Sequence, residues 1–322
     1  MIVRVSMVAA LCVLCTAAHA QSGAYPARPI RLIVPFAAGG NVDLVARAVA
    51  QPLAAAFGQQ VLVDNRPGSS GLVGTHLVAK SPADGYTVLA MANTFAVVPS
   101  IMTNPGYDPL KDFAAVSLTC RVPQVLVVNP ALPVRSVREL VVLAKSRPGE
   151  ISYASAGLGG TGHMAAELFN RHVGVKMLHV PYKGNAQAIV DVISGQVTMM
   201  FDQVSTSAPH IISGKLRGLA VTSLRRSPLF PKLPTIDESG VSGFEDITFN
   251  GLVAPAGTPR EIVARLQAEV AKAVRVPDLN KRFLERGVEL AASASPEEFA
   301  AHIQAEFVKK ARLAREAGIR VE

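Results

Sequence analysis

Two extended stretches decide the fold: VSLTCRVPQVLVV at residues 116–128 and FEDITFNGLVA at residues 244–254. Both are rich in residues that favour strands, and a loop rich in proline and glycine (227–243) precedes the second. Two such segments are what a chain needs to cross into a second lobe and to return. The alternative is that both are ordinary strands of one large sheet. We favour the crossing interpretation.

Outward from these stretches, short strand-like runs alternate with helical ones. This alternation predicts an α/β fold with parallel-rich sheets flanked by helices. The predicted strands cover 30–36, 61–64, 87–93, 151–155, 197–202 and 216–222. The predicted helices cover 42–57, 71–80, 136–147, 161–173, 186–194, 259–274, 277–286 and 296–317, and the last three begin at a proline.

The predicted organisation is a signal peptide and two lobes. The signal peptide covers 1–20, with Arg4 before an apolar run (7–18) and a small-x-small cleavage site ending at Ala20. The apolar run is too short for a membrane anchor. A lipid anchor on Cys12 or Cys15 is disfavoured because each follows a leucine. The first lobe is predicted at 21–121 and 244–322, and the second lobe at 122–243.

Composition narrows the function classes without choosing one. The formal net charge is +8, but no run of Lys or Arg is longer than two residues, and export would separate the chain from nucleic acid. The excess of positive charge is compatible with anionic ligands or with an ordinary solvated surface. Removal of the signal peptide would leave one cysteine, Cys120, which we interpret as a small buried apolar residue.

The first candidate ligand loop is VPFAAGGNVD at residues 34–43, where a strand runs through a glycine turn into a helix. The free N–H groups at such a helix start, together with the helix dipole, form an anion site. The candidate residues are Phe36, Ala38, Gly39 and Asn41. Asp43 either contacts the ligand or complements the start of the helix.

The second candidate loop is SAGLGGTGH at residues 155–163. Its glycines at 157, 159 and 162 fit the G-x-G-x-x-G pattern of dinucleotide-binding folds, which also needs an acidic residue after the next strand. The segment 177–182 carries none. We therefore interpret this loop as a second anion-binding helix start, with Ser155, Gly159, Gly160 and Thr161 as candidates.

Other candidate ligand contacts lie near the ends of neighbouring strands. Asn93 and Thr94 close one strand with neutral polar groups. Asp202 either accepts a hydrogen bond from an ammonium or hydroxyl of the ligand or caps the next helix. Lys183 either pairs with the ligand or is solvated.

Catalytic patterns are missing from the sequence. It contains neither a G-x-S-x-G elbow nor an H-E-x-x-H helix, and its histidines show no metal-ligand spacing. We therefore expect no cofactor, no metal and no enzyme activity. An exported hydrolase is the weaker alternative.

Ordered motifs along nearly the whole chain resemble those of the Bug family, the extracytoplasmic solute receptors of tripartite tricarboxylate transporters. The motifs are YPARPI (25–30), VPFAAGG (34–40), DNRPG (64–68), DGYT (84–87), YDP (107–109), YASAG (153–157), PYKG (181–184), GKLR (214–217), PT (234–235) and APAGTP (254–259). One departure is Phe249, where family members often carry tryptophan.

The resemblance implies a periplasmic-binding-protein fold of the type II kind, with two lobes, two crossing strands and closure around the ligand. It implies that loops 36–43 and 155–163 grip a carboxylate of a small organic acid, partly through backbone amides. It also implies a monomer in the periplasm that serves a membrane permease with one large and one small subunit. The alternative partner is a sensor kinase of the membrane.

Overall fold

The computed structural model describes residues 25–182 and 184–320, so the predicted signal peptide and Lys183 lie outside the described residues. Within that part of the chain there are ten strands. They are β1 (Ile30–Val34), β2 (Val61–Asn65), β3 (Thr87–Ala92), β4 (Phe113–Val128), β5 (Ser152–Ser155), β6 (Leu178–Pro181), β7 (Met199–Gln203), β8 (Arg217–Val221), β9 (Ile247–Pro255) and β10 (Glu289–Leu290).

Ten helices connect these strands within the described residues. They are α1 (Asn41–Phe57), α2 (Leu72–Ala79), α3 (Thr94–Ile101), α4 (Val137–Ser146), α5 (Thr161–Val173), α6 (Asn185–Ser194), α7 (Val204–Ile212), α8 (Arg260–Ala273), α9 (Pro277–Leu284) and α10 (Pro296–Glu316). Local chemistry explains several starts. Ser136 and Ser295 cap α4 and α10 by accepting a hydrogen bond from the backbone three residues on.

The long strands β4 and β9 pair antiparallel from Phe113 opposite Pro255 to Pro123 opposite Ile247. Beyond Pro123, β4 continues between β7 and β8, both antiparallel to it. The strand order β2-β1-β3-β9-β4-β7-β5-β6 therefore contains two halves that share β4, with β10 and β8 also pairing with β4. We call the half with β1, β2, β3, β9 and β10 the first lobe and the half with β5 to β8 the second lobe.

This topology confirms the two crossing strands that the sequence predicts. Pairing within each lobe is parallel where the sequence shows strand–helix alternation: β1 with β2 and β3, and β5 with β6 and β7. The residue limits of the lobes given above remain a prediction.

Each lobe is a sheet covered by helices on both faces. In the first lobe, α1, α8 and α9 pack on one face, and α2, α3 and α10 pack on the other. In the second lobe, α4 and α5 pack on one face, and α6 and α7 pack on the other. Because β1, β3, β5, β6 and β7 are each followed directly by a helix, the starts of α1, α3, α5, α6 and α7 lie at the carboxyl ends of these strands.

Helix α10 contacts both lobes. Its first half packs on the first lobe through Phe299 and Ile303. Its second half shares an apolar cluster with Met164 of α5 and Ile101 of α3. A buried ion pair joins Lys310 to the Asp246 side chain, just before β9. The last helix therefore bridges the two lobes behind the crossing strands.

Two helices, α3 and α7, are not among the predicted elements. Both are short, and each contains a proline, Pro99 in α3 and Pro209 in α7. Their β-branched and hydroxyl side chains have low intrinsic helix propensity. Packing outweighs that propensity, because Phe95, Val97 and Ile101 of α3 are all buried.

Candidate functional site

The carboxyl ends of the strands in the two lobes face each other along β4. The last residue of β3, Ala92, pairs with Asn250, which pairs with Cys120 of β4. The last residue of β7, Gln203, pairs with Gln124 of the same strand. At 3.3 Å per residue, the four residues from Cys120 to Gln124 separate these two levels by about 13 Å. Both candidate loops follow strands whose carboxyl ends lie at these facing levels, and we call the region between the two lobes the cleft.

Helices α1 and α5 start in this cleft without a side-chain cap. The N-cap residues are Gly40 and Gly160, both extended, and neither has a side chain that could accept from the first helical amides. Helices α3, α6 and α7 also start at this edge without a side-chain cap, whereas α4 and α10 are capped by serines. The first-turn N–H groups of α1 and α5, together with the positive ends of their dipoles, are therefore available to an anion.

Asp43 supports the first loop from within the helix that follows it. Its Oδ2 accepts from the N–H of Gly39 (2.9 Å) and from Nε of Arg47 (3.1 Å), and its Oδ1 accepts from Nδ2 of Asn65 (2.9 Å). Burial would raise the pKa of Asp43, but these donors outweigh it and hold the pKa below its ordinary value. Both oxygens are thus engaged within the first lobe.

Asn65, at the end of β2, fastens the same loop from the other side. Its Nδ2 also donates to the carbonyl of Phe36 (3.1 Å), and its Oδ1 accepts from Arg47 (3.0 Å). The DNRPG motif contains this residue, but sequence reasoning assigned it no role. In the sequence, only the membership of Asn65 in this ordered motif indicated that the residue could matter. The role itself depends on the parallel pairing that places β2 beside β1.

Ser155 and two histidines build the second loop. The hydroxyl of Ser155 lies 2.6 Å from Nε2 of His179 and accepts from the N–H of Gly157 (3.2 Å). Nδ1 of His163 accepts from the N–H of Gly159 (3.0 Å). The rings of His163 and His179 stack with centroids 4.0 Å apart and an interplanar angle of 4°. The loop is therefore held in shape by side chains that point into the second lobe.

Both histidines are kept neutral by their surroundings. Burial lowers the pKa of His163 to about 3, helped by the neighbouring His179 ring, and burial lowers the pKa of His179 to about 4. A neutral His163 is also what the hydrogen bond requires, because its Nδ1 must be an acceptor for Gly159. Neither histidine is among the candidate residues predicted from the sequence.

Glycine is required at two positions of the second loop by close contacts. Gly159 has φ +70°, and a Cβ there would lie 2.1 Å from Cδ1 of Ile101 in α3. At Gly162 a Cβ would lie 2.4 Å from the carbonyl oxygen of Phe201. The first contact joins the two lobes, and the second seats α5 against β7. Gly160 has an ordinary φ of −64°, and a Cβ there would lie 3.1 Å from the Gly157 carbonyl oxygen, a tight contact but a looser one than the other two.

Asn93 connects the end of β3 with the start of β9. Its Nδ2 donates to the carbonyl of Ile247 (3.2 Å), and its Oδ1 accepts from the N–H of Phe249 (2.6 Å). Both amide atoms are therefore engaged within the protein. Thr94 is the first residue of α3 and is partly exposed, at the same edge of the sheet.

Asp202 is buried and serves as an acceptor for the helices around it. Its Oδ1 accepts from Nδ2 of Asn185 in α6 (2.6 Å), and its Oδ2 accepts from the hydroxyls of Thr206 and Ser207 in α7. Burial raises the pKa of Asp202, against the effect of these donors. Its oxygens are thus engaged by side chains of α6 and α7, while α7 has Gln203 as its N-cap residue and no side-chain cap.

The structure thus divides the candidate residues into two sets. Phe36, Ala38, Gly39, Asn41, Thr94, Gly160 and Thr161 are at least partly exposed around the cleft. The side chains of Asp43, Asn93, Ser155 and Asp202 are buried and engaged in the hydrogen bonds described above, and Gly159 is buried against α3. Lys183 lies outside the described residues. In the described part of the chain no group of histidine, cysteine and acidic residues is arranged to hold a metal ion.

The family of the chain follows from its match to a family model. Residues 45–319 match the tripartite tricarboxylate transporter family receptor model. The chain belongs to this family. One curated relative is the UPF0065 protein in the tcbD-tcbE intergenic region of Pseudomonas sp. (strain P51), which is 42% identical over 84% of this chain and 81% of its own length. Another is protein BugT of Bordetella pertussis (strain Tohama I), which is 39% identical over 84% of each chain.

Solved structures of the same kind confirm the fold. The chain superposes on R. palustris Rpa4515 with adipate at a TM-score of 0.83 and 39% identity, over 92% of this chain and 99% of the other. It superposes on the periplasmic binding protein BugD at 0.81 and 37%, over 92% and 100%. MatC from Rhodopseudomonas palustris with bound malate matches at 0.78 and 30%, over 90% and 99%. The fold is that of a two-lobed periplasmic binding protein, and the predicted family is confirmed.

The structure contains no helix, within the residues it describes, that combines the length and apolar character needed to cross a membrane.

Proposed function

We propose that this receptor binds a small organic acid in the periplasm, between the starts of α1 and α5, and releases it unchanged to the permease of a tripartite transporter. The carrying observation is that α1 and α5, one in each lobe and at opposite sides of the cleft, each start at an extended glycine N-cap in a glycine-rich loop. A carboxylate that receives N–H donors from both would hold the lobes together. Adipate and malate, the molecules in two related structures, are both dicarboxylates.

In this proposal the ligand contacts come mainly from the backbone. The N–H groups of Ala38, Asn41 and Thr161, with the hydroxyl of Thr94, face the carboxylate, because the N–H groups of Gly39 and Gly160 are engaged by Asp43 and by the Gly157 carbonyl. Asp43, Asn93, Ser155 and Asp202 keep the loops in the required conformation without touching the ligand. Rigid support of this kind lowers the cost of ordering the site on binding.

The cellular part of the proposal has three further components. The signal peptide is removed after Ala20, the mature protein acts as a monomer in the periplasm, and it performs no chemistry on the ligand. The N-terminal sequence of the secreted protein and its mass in solution test the first two. Co-purification with a membrane kinase in place of a permease would instead favour the sensory role.

Binding is tested by a thermal-shift screen of the mature protein against dicarboxylates, tricarboxylates, acidic amino acids and aromatic acids. A ligand that binds only the folded state raises the Tm, by an amount that grows with its concentration. The ligand is then recovered and identified by mass spectrometry. A shift with intact ligand supports the receptor role, whereas conversion of the ligand would contradict it.

The location of the site is tested with Gly160→Val. Its φ of −64° accepts a side chain, and the nearest atom to the new Cβ is the Gly157 carbonyl oxygen at 3.1 Å, so the protein should fold. The added isopropyl group would cover the start of α5, and we expect binding to be lost. Gly58→Ala, at the far end of α1, is the control: its φ of +62° makes the substitution destabilising, but it has open space around it and should retain binding. Retained binding in Gly160→Val would place the site elsewhere.

A further inference from the structure

Asn250, in β9, is a buried polar residue whose hydrogen-bonding groups have no partner in the protein. It is 2% exposed, and neither its Nδ2 nor its Oδ1 forms a hydrogen bond. Two neighbours share this condition: Nδ2 of Asn41 at the start of α1 and Oγ1 of Thr248 two residues earlier in the strand. Buried polar groups that stay unpaired destabilise the folded protein, so a partner from outside the chain is expected.

The position of Asn250 places it at the cleft. It pairs with Ala92, the last residue of β3, so it is level with the edge where the helices start. Its even-numbered neighbours Leu252 and Ala254 belong to the core under α1, while Phe249 belongs to the core under α10. The side chain of Asn250 therefore lies on the α1 face, beside the first candidate loop.

The residues that the β-ladder and the start of α1 place beside Asn250 are uncharged. Across the ladder stands Cys120, fully buried, whose pKa is raised to about 12 by burial. Asn41 lies beside the same thiol and opposes that effect. Thr248 is opposite Val122. A second charge on the ligand would find no counter-ion among these residues.

We propose that Asn250 is a specificity-determining residue that reads a hydroxyl group on the bound acid, so that the ligands of this receptor are hydroxy-substituted carboxylic acids. The inference rests on the proposed function, because it assumes that the carboxylate of the ligand is held at the helix starts. Nδ2 of Asn41 supplies the second donor that this hydroxyl can accept.

The chemistry of the amide selects the hydroxyl. Nδ2 needs an acceptor and Oδ1 needs a donor, and one hydroxyl supplies both. A carboxylate only accepts, so it would leave Oδ1 unpaired and facing a negative charge. An ammonium only donates, so it would leave Nδ2 unpaired. A site built to bond a hydroxyl discriminates strongly against the analogue that lacks it.

The experiment compares matched ligands on two proteins by calorimetric titration. The pairs are malate with succinate and 2-hydroxyglutarate with glutarate, and the proteins are the wild type and Asn250→Leu. In the wild type the hydroxy acid of at least one pair should bind roughly ten-fold or more tightly than its partner. In Asn250→Leu that ratio should fall close to one, mainly through weaker binding of the hydroxy acid.

A second measurement needs no ligand. Asn250→Leu removes two unpaired buried polar atoms, so the Tm of the ligand-free protein should stay the same or rise. The matched control is Asn93→Leu, one strand away, where both amide atoms are bonded and the Tm should fall. A fall in Asn250→Leu as large as in the control would show that the amide is satisfied within the protein or by an ordered water, and would overturn the inference.

The outcomes separate this inference from the proposed function. If both proteins bind the acids with the same hydroxy-to-unsubstituted ratio, the role of Asn250 is refuted and the receptor function stands. If the wild type binds no organic acid of any class, the function and the inference fail together.

Discussion

Replacing Gly159 with alanine should both strain the second loop and force the lobes apart. The residue has φ +70°, and for an L-residue this conformation costs about 1–2 kcal/mol. The new Cβ would lie 2.1 Å from Cδ1 of Ile101, which is 4% exposed and packed against Met164 and Leu313. Overpacking of a filled core costs about 1–3 kcal/mol. We expect the free energy of unfolding to fall by about 2–5 kcal/mol and ligand affinity to fall with it.

The two contributions can be measured separately. Ile101→Val removes Cδ1, the atom in the clash, and by itself should cost about 0.5–1.5 kcal/mol. In the double variant the overpacking should vanish, so the double-mutant cycle should show a favourable coupling of about 1–3 kcal/mol. Gly174→Ala, with φ +66° and no atom within 4 Å of the new Cβ, reports the backbone strain alone.

The assay is urea unfolding of the four proteins of the cycle and the control, followed by ligand titration of those that fold. Affinity should recover in the double variant, because the lobes can again meet at this contact. Independent effects of the two substitutions, with no coupling, would refute the reasoning. The contact between α3 and the loop before α5 would then not exist in solution.

Three further predictions concern buried groups. Lys310→Met leaves the Asp246 carboxylate buried without its cation, so the free energy of unfolding should fall by about 3–5 kcal/mol. Urea unfolding measures this loss, and a loss below about 1 kcal/mol would contradict the buried ion pair. The pKa values of His163 and His179 are about 3 and 4 in the folded protein, against 6.5 when unfolded, so their contribution to stability should be complete above pH 6.5 and decline as the pH falls towards 3. In a series of Tm values measured at different pH, His179→Gln should make the decline less steep. An unchanged slope would contradict the lowered pKa of His179. Cys120 is fully buried, so its reaction with a thiol reagent should occur only at the rate of unfolding, and rapid labelling of the native protein would refute its burial.

Much of the fold could be predicted from the sequence, because the signals for individual helices and strands are local. Helix α5 was predicted at 161–173 and spans Thr161–Val173, since a glycine cap, apolar periodicity and a terminal Gly174 all agree. The helices that begin at prolines were predicted within a few residues of their limits for the same reason. Helices α3 and α7 were missed because burial, not local propensity, makes them helical.

The candidate site could be predicted from the sequence only in part. The sequence located both glycine loops, because a strand–glycine–helix transition is visible in a single stretch. It did not determine which side chains point inwards. Ser155 and Asp43 appeared as possible ligand contacts, but their partners come from β6 and β2, which are distant in sequence. The sequence placed Asn250 only within a predicted strand. That its side-chain amide is unpaired is evident only from the tertiary structure, which shows its neighbours.

By itself, the sequence determined the α/β class, the two crossing strands, the family and the two helix starts, because periodicity, turn residues and ordered motifs are properties of short segments. Tertiary structure alone decided which polar groups are already satisfied. Hydrogen bonds between residues far apart in sequence, such as Asn93 with Phe249, depend on strand register and on which face a side chain occupies. That register engages Asn93 fully and leaves Asn250 unpaired beside the cleft.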